Sequence, residues 1–457
     1  MNICIFVFHR DFRLYDNTTL INIVKQGYHV LPVFIFTPIQ VTSANPYLSQ
    51  NSVQFMIESL EDLANQIRVE GGHLYTFMGN TTTVLKSLVT KVGATAVAYN
   101  TDITPFAKAR DKEIAETIGI PVISNQDYYL LDPGSVLKPD KTPYHKFTPY
   151  YNTHKIHKVA EPQRLPSGLR FVKPSGLSST IKLSDAFVNL GALNADAAFH
   201  GGRTNALAQL RQRLSTYSVA RNLLAENTSL LSAHIKFGCI SIREVYYAHI
   251  HNKEFTRQLV WRDFYASLLH HHPEMLNPRI RTLNVRWNRS EAAFNAWANG
   301  HTGFPVVDAC MRQLNTTGYM HNRGRLIVAS FLVKTLLIDW RKGEKYFAQK
   351  LLDYDVASNN GNWRWISSEG VHTEDGNIVH FDSQPYFRIF NPWNQAETVD
   401  PDAIFIKRWI PELAKLDKKR IHKWYEEKTP VQGYPLPIVD YATEKKHVLD
   451  AYANGRI

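Results

Sequence analysis

The chain is predicted to fold as a doubly wound α/β domain built on a parallel sheet, followed by a large all-α domain. Three observations carry this. Up to about residue 130, short apolar runs of strand type alternate with helical patterns, as in a parallel sheet covered on both faces. From Thr204 onward apolar positions recur with helical period. Between these regions Pro, Gly and Ser recur and the period fades. At 457 residues the chain is also too long for a single core. The predicted division is 1–131, a connector over 132–202, and 203–457.

In order, strands are predicted over 2–8, 29–36, 94–99 and 121–124, with helices over 16–27, 53–70, 82–92 and 107–119. The turn after the first strand, HRDFRLYDN, lacks G-x-G-x-x-G, so no dinucleotide is expected there. Its Arg10, Asp11, Arg13, Asp16 and Asn17 read as a structural network of ion pairs. In the connector, Tyr144, Phe147, Tyr150 and Tyr151 predict a segment packed against the protein rather than free. Later helices are predicted over 204–217, 242–250, 255–270, 290–299, 306–316, 324–340 and 343–352, with Gly300, Gly303 and Gly318 as caps or breaks. There is no internal repeat.

No apolar run approaches the ~20 residues that span a bilayer. The start, MNICIFVFHRDFRL, reads as a strand and lacks the parts of a signal peptide. Three widely spaced cysteines, Cys4, Cys239 and Cys310, build neither a disulfide framework nor a zinc site. A soluble protein of a reducing, intracellular compartment is expected. The net charge of +11 fits a polyanionic partner, and equally a generally basic proteome. Aromatic content of 12%, with nine Trp, adds stacking on bases or on a flat cofactor.

The sequence has no G-x-S-x-G, no H-E-x-x-H and no P-loop. His270, His271 and His272 are consecutive, diverge by ~100° on a helix and cannot converge on one metal, so they read as a surface cluster at a helix end. His9, His234 and His321 read as hydrogen-bonded structure. What remains suits flat ligands and anions. In ENTSLLSAHIKFG, Thr228, Ser229 and Ser232 precede a helix and suit a phosphate, though plain N-capping explains them too. Gln258, Trp261 and Arg262 share a helical neighbourhood that suits a nucleobase, or an amphipathic helix with a buried Trp. In HNRGR, Asn322, Arg323 and Arg325 stand together, and Arg325 can neutralise Asp353 or Asp355. The stretch LLDYDVASNNGNWRW holds Asp353, Asp355, Asn359, Asn360, Trp363 and Trp365. Acids, amides and indoles packed this closely suit a polyaromatic cofactor; they also suit an ordinary helix, a loop and two core tryptophans. Trp287, Trp340 and Trp363 read as core residues at separate helix ends.

Together these segments resemble the photolyase/cryptochrome family over nearly the whole chain, and best its class I cyclobutane pyrimidine dimer photolyases. The resemblance rests on HRDFRLYDN, TSLLSAHIKFG, QLVWRDFY, GHTGFPVVDACMRQLNTTGYMHNRGR, DWRKGEKYF, LLDYDVASNNGNWRW and PYFRIFNPWNQ, in that order. It implies a U-shaped FAD in the helical domain and light-driven repair of pyrimidine dimers in DNA, by electron transfer to a flipped-out dimer. By matching motifs it implies that Tyr217, Thr228, Ser229, Leu231 and Ser232 hold the phosphate end. Arg262 and Asn322 join the cofactor set, Arg325 pairs with Asp353, and Asp355 lies by the ribose and flavin. Asn359 faces the flavin N5, as in photolyases. Trp363, Trp340 and Trp287 resemble the electron-hopping triad. Trp261 and Trp365 resemble the walls around the dimer, and Arg323 and Arg388 its phosphate contacts. A monomer with no membrane and no metal is expected.

Some positions depart from the family pattern. Gln258 stands where class I enzymes carry Glu, Leu326 replaces a Met, Tyr319 a Trp and Leu230 an Arg. Gln258 is usual in (6-4)-photoproduct enzymes, but Asn322 breaks the tandem His those enzymes use. An extra stretch, 366–384, reads as a hairpin beside the DNA-facing rim. The Lys that holds folate in some relatives aligns near Glu274, so the second, antenna chromophore is open: a deazaflavin, another flavin, or none. A cryptochrome-type blue-light sensor and a (6-4) photolyase are the alternative readings.

Overall fold

The computed structural model describes residues 1–455 apart from 191–192, 213, 374, 382–387 and 432, and only the backbone of 187–190. Five parallel strands form the first domain's sheet: β1 (Ile3–Phe8), β2 (His29–Phe36), β3 (Tyr75–Met78), β4 (Ala96–Thr101) and β5 (Val122–Gln126). Their order is β3-β2-β1-β4-β5. β1 and β2 are almost wholly apolar because helices cover both faces. β3 is not among the predicted strands; four residues after a Gly-Gly turn are too few to display a period.

The covering helices are α1 (Thr18–Lys25), α2 (Gln50–Val69), α3 (Thr81–Val92) and α4 (Pro105–Thr117). Each starts behind a polar side chain that accepts from a first-turn amide: Asn17, Ser49, Asn80 and Thr104. Strand order reverses between β1 and β4, so a crevice opens at their C-terminal ends, where the turn His9–Asn17 lies.

The connector is packed down, as its aromatics predict. Its strand-like segment bonds to β2 at both sides of Val30, and Thr180 bonds back to Thr76. Its helix, α5 (Phe147–His154), buries Phe147, Tyr150 and His154.

The second domain is helical. Its site-forming elements are α6 (Lys253–His271), α7 (Pro305–Thr317), α8 (Asn322–Lys334), α9 (Trp340–Lys350) and α10 (Val356–Ser367). Two predicted helices are corrected. The segment 324–340 is not one helix: α8 ends at Lys334, Leu337 takes a left-handed φ of 53°, and α9 begins at Trp340 behind the Asp339 cap. The segment 204–217 is also broken. Its first helix ends at Leu210, and a short one opens at Tyr217 after a non-helical Thr216.

After α10 the extra stretch forms an antiparallel pair, β6 (Gly370–His372) and β7 (Ile378–His380). The hairpin reading therefore holds over these strands; residues 374 and 382–384 of that stretch lie outside the described residues.

The turn network predicted after β1 does more than brace its own loop. Arg13 meets Asp127 at 2.5 Å, and Arg243 of the helical domain meets Asp127 and Asp16, each at 2.8 Å. Ser241 donates to Asp16 as well. All five groups are buried. Two arginines thus compensate two carboxylates across the join between domains, which makes the burial tolerable.

Candidate functional site

The site is built around α10. Asp355 caps the helix by accepting from the Ser358 amide at 2.9 Å. Its other oxygen meets Arg10 from the first domain at 3.0 Å. Burial alone would raise the Asp355 pKa; Arg10 and Arg262 outweigh it and hold the carboxyl at about 2. Arg10 reaches Asp102 and the Tyr129 hydroxyl too, each at 2.9 Å. The sequence reading kept Arg10 within its own turn. The pairing was out of reach because the partners lie 345 positions apart.

Arg325 takes Asp353, at 2.8 Å through Oδ2, and also donates to the Met320 carbonyl. The second oxygen of Asp353, Oδ1, is buried with no partner. A buried carboxylate oxygen left open calls for a donor from a bound group.

Asn359, on the first turns of α10, donates through Nδ2 to the Glu344 backbone carbonyl and to Glu344 Oε1, both at 3.1 Å. Both acceptors need the NH2 group, so the amide is fixed and its Oδ1 is left to accept. Glu344 was missed by the sequence reading. Its signal is a lone acid on the apolar face of α9, where it is 5% exposed. Burial raises its pKa to about 7.

The tryptophans divide by face. Trp363 lies inside α10, not at a helix end as expected, and is buried in the helical core. Its ring meets Phe347 edge-on at 5.1 Å and Trp297 at 6.5 Å. Gly343 makes room for it, since a Cβ there would stand 2.3 Å from the indole. Trp340 opens α9, with the Arg341 and Arg364 guanidinium groups over its ring at 5.0 and 5.3 Å. Trp287 is half-buried against Tyr452. Trp365, two positions beyond Trp363, points to a different side, as ~200° of helical rotation requires. It is half-buried with Arg388 over its ring at 5.0 Å.

A pocket opens beside this core, lined by Ser218, Arg221, Asn222, Glu254, Arg257, Gln258, Trp261 and Arg323. It unites the predicted Gln258, Trp261 and Arg323. Gln258 donates to the Glu254 carbonyl at 3.2 Å, which leaves its own oxygen to accept. Arg323 bonds Asn222, and Arg221 pairs with Glu254 at 3.1 Å.

Arg262 does not join that pocket. Its guanidinium turns to the first domain, donating to the Tyr128 carbonyl and lying 4.7 Å from the Tyr129 ring centre. Trp261 and Arg262 are consecutive, so ~100° separates them and one face cannot present both. Asn322 also stands apart, exposed at the start of α8.

In the hydroxyl segment, Leu231 is buried, Leu230 takes a left-handed φ of 52°, and Thr228 lies 3.5 Å from the Tyr319 hydroxyl. Ser229, between Thr228 and Leu230, is half-buried, and Ser232 opens the helix Ser232–Lys236. That helix has only five residues, so the dipole expected there is small and the hydroxyls carry the case. Tyr217 is buried, edge-on to Phe255 at 5.2 Å.

The histidine triplet is corrected. His270 and His271 end α6, but His272 is buried and bonds His145 at 2.9 Å and Glu274 at 3.0 Å, so it is no surface group. His321 caps α8 through Nδ1, as structure should, whereas His234 is buried with Nδ1 unpartnered. Among the described residues no three His, Cys, Asp or Glu side chains form a metal-binding group, and no helix is long and apolar enough to cross a membrane.

Residues 4–167 match the family model described as DNA photolyase, and residues 255–454 that of the FAD binding domain of DNA photolyase. A deoxyribodipyrimidine photo-lyase of Agrobacterium fabrum is 36% identical over 98% of this chain and 96% of its own. A photolyase of Sulfolobus tokodaii, solved with two FAD molecules, is 38% identical, covers 99% of this chain and 100% of its own, and superposes with a TM-score of 0.88. A class III photolyase of Agrobacterium tumefaciens is 34% identical, covers 99% of this chain and 98% of its own, and also gives 0.88.

Proposed function

The chain belongs to the DNA photolyase family, and from that membership we propose that it repairs cyclobutane pyrimidine dimers in DNA, driven by light, with FAD as cofactor. The observation that carries the reading is the fixed amide of Asn359, in the same stretch of chain as the Asp353 that pairs with Arg325. Reduced flavin bears a hydrogen on N5, and a carbonyl held ready to accept suits that form. The open Asp353 Oδ1 supports a bound group that donates to it. Tyr217, Thr228, Ser229, Leu231 and Ser232 would hold the phosphate end, with Arg325, Asp353, Asp355 and Asn359 at the other.

When bound in its fully reduced form and excited, FAD would supply the electron that splits the dimer, with no net redox change. The protein does the rest. Arginines 221, 257 and 323 at the pocket give it affinity for phosphodiester without sequence preference. A damaged pair stacks poorly and costs less to flip out than intact bases. Trp261 and Trp365 would wall the dimer, Gln258 would accept from a thymine edge, and Arg388 would meet phosphate. Trp363, Trp340 and Trp287 would carry electrons inward when the flavin must be reduced.

A second, light-gathering chromophore belongs to this reading. The Sulfolobus tokodaii photolyase, described as implying a novel light-harvesting cofactor, supports it. A monomer is part of the same proposal. Three unpaired, buried cysteines suit a reducing, intracellular setting.

The test is to illuminate flavin-loaded, reduced protein with an oligonucleotide holding one thymine dimer. Restored thymines are expected. Repair of (6-4) lesions instead, or of neither lesion, would replace this reading with one of its two alternatives.

A further inference from the structure

Trp261 is not held by its own helix alone. The ring of Phe147, from the connector, lies on it face to face, with centroids 3.5 Å apart and planes 6° apart. Aromatic pairs ordinarily avoid so complete an overlap and sit offset or edge-on. A full sandwich therefore needs external restraint, and α5 supplies it at both ends. Just before the helix, His145 bonds His272 at the end of α6. At its last residue, His154 lies 3.2 Å from Asp263 in the middle of α6. Asp263 is further fixed by the Leu130 and Leu131 amides.

The stack continues outward from the indole. Tyr151 lies at 5.7 Å and 24° from Phe147. Arg257, a pocket residue, caps both rings at 5.5 and 5.4 Å. Phe264 closes an edge of Trp261 at 5.7 Å. Tyr265, one turn further along α6, also stacks on Trp261 at 5.8 Å and 28°, and the half-buried side chain still lines the pocket.

We propose that Phe147 is a positioning residue for the lesion pocket: it backs Trp261 so that the part of the indole that lines the pocket is held in one orientation toward a flipped pyrimidine pair. The connector then forms part of the substrate site. This rests on the reading of Trp261 as a pocket wall, and the experiment separates the two.

Full-length, flavin-loaded Phe147→Leu, Phe147→Tyr and Trp261→Ala are compared for binding to a thymine-dimer oligonucleotide and to its undamaged twin. Leucine fills the space without a planar ring; tyrosine restores the plane. Phe147→Leu is expected to weaken dimer binding by about 3- to 10-fold, the worth of one aromatic pair. Undamaged binding should stay unchanged and Phe147→Tyr should match the parent. A merely structural Phe147 would be served by leucine as well as by tyrosine. Equal dimer affinity in all three Phe147 forms, with Trp261→Ala impaired, overturns the positioning role and leaves the pocket standing. Unimpaired Trp261→Ala removes the pocket reading, and this proposal with it.

Discussion

Asn359 and Glu344 form a unit in which each sets the other's chemistry. Glu344 turns the Asn359 amide; burial in turn favours the protonated Glu344, with its pKa raised from 4.5 to about 7. A carboxyl whose folded pKa is raised contributes stability that is fully present below pH 4.5 and is lost as pH climbs through 7. Glu344→Gln should therefore flatten the melting temperature between pH 5 and 8, which a thermal series on both proteins checks. Asn359→Asp should replace an acceptor fixed by its neighbour with a second carboxyl 3.1 Å from the first. Two carboxyls that close share a proton and bring a negative charge the amide did not carry, which disfavours further negative charge in the site. The flavin's reduction potential in this variant should fall, as read by redox titration; an unchanged potential would remove Asn359 from the N5 position. Asn359 was legible because amides beside acids and indoles are odd company for a helix interior. Glu344 was not, since one acid in an amphipathic helix ordinarily faces water.

At the level of elements, α10 carries two indoles to different surroundings by rotation alone. Trp363 points into the core that holds Trp297 and Phe347, and Trp365 to the rim with Arg388. The proposed route through Trp340 predicts that Trp340→Phe slows photoreduction of oxidised flavin at least tenfold. Repair by enzyme reduced beforehand should be untouched. Transient absorption and a repair assay check the two halves, and equal photoreduction would assign the route elsewhere. The start of α9 at Trp340 was not legible. The apolar period runs unbroken from α8 through Leu336 and Leu337, and only the left-handed Leu337 and the Asp339 cap reveal the break. Elements with long periods, such as α2 and α6, were read to within three residues at their ends. The four-residue β3 was not, because pairing with β2, rather than its own pattern, makes it a strand.

At the scale of the whole molecule, the two domains are locked by buried charge. Burial would raise the Asp127 pKa, but Arg13 and Arg243 outweigh it and hold the carboxyl at about 2, down from 3.8. Its contribution to stability is present above 3.8 and lost as pH falls through 2. Asp127→Asn leaves two buried cations undercompensated and should cost about 3–5 kcal/mol. Denaturant melts at pH 7 check the magnitude, and the same melts at acid pH should bring variant and parent together. The network's members in the first turn were visible in HRDFRLYDN. Their partners Asp127 and Arg243 were not, because tertiary ion pairs leave no spacing rule in a chain.

The Arg10–Asp355 bridge bears on how such a protein can be taken apart. The cap of α10 borrows its counter-charge from the first turn of another domain. Excising the helical half would strand a buried carboxylate, so that half is not a transplantable module. Any exchange of the front domain between lineages must carry the arginine with it. The two halves would therefore have to be engineered as one unit.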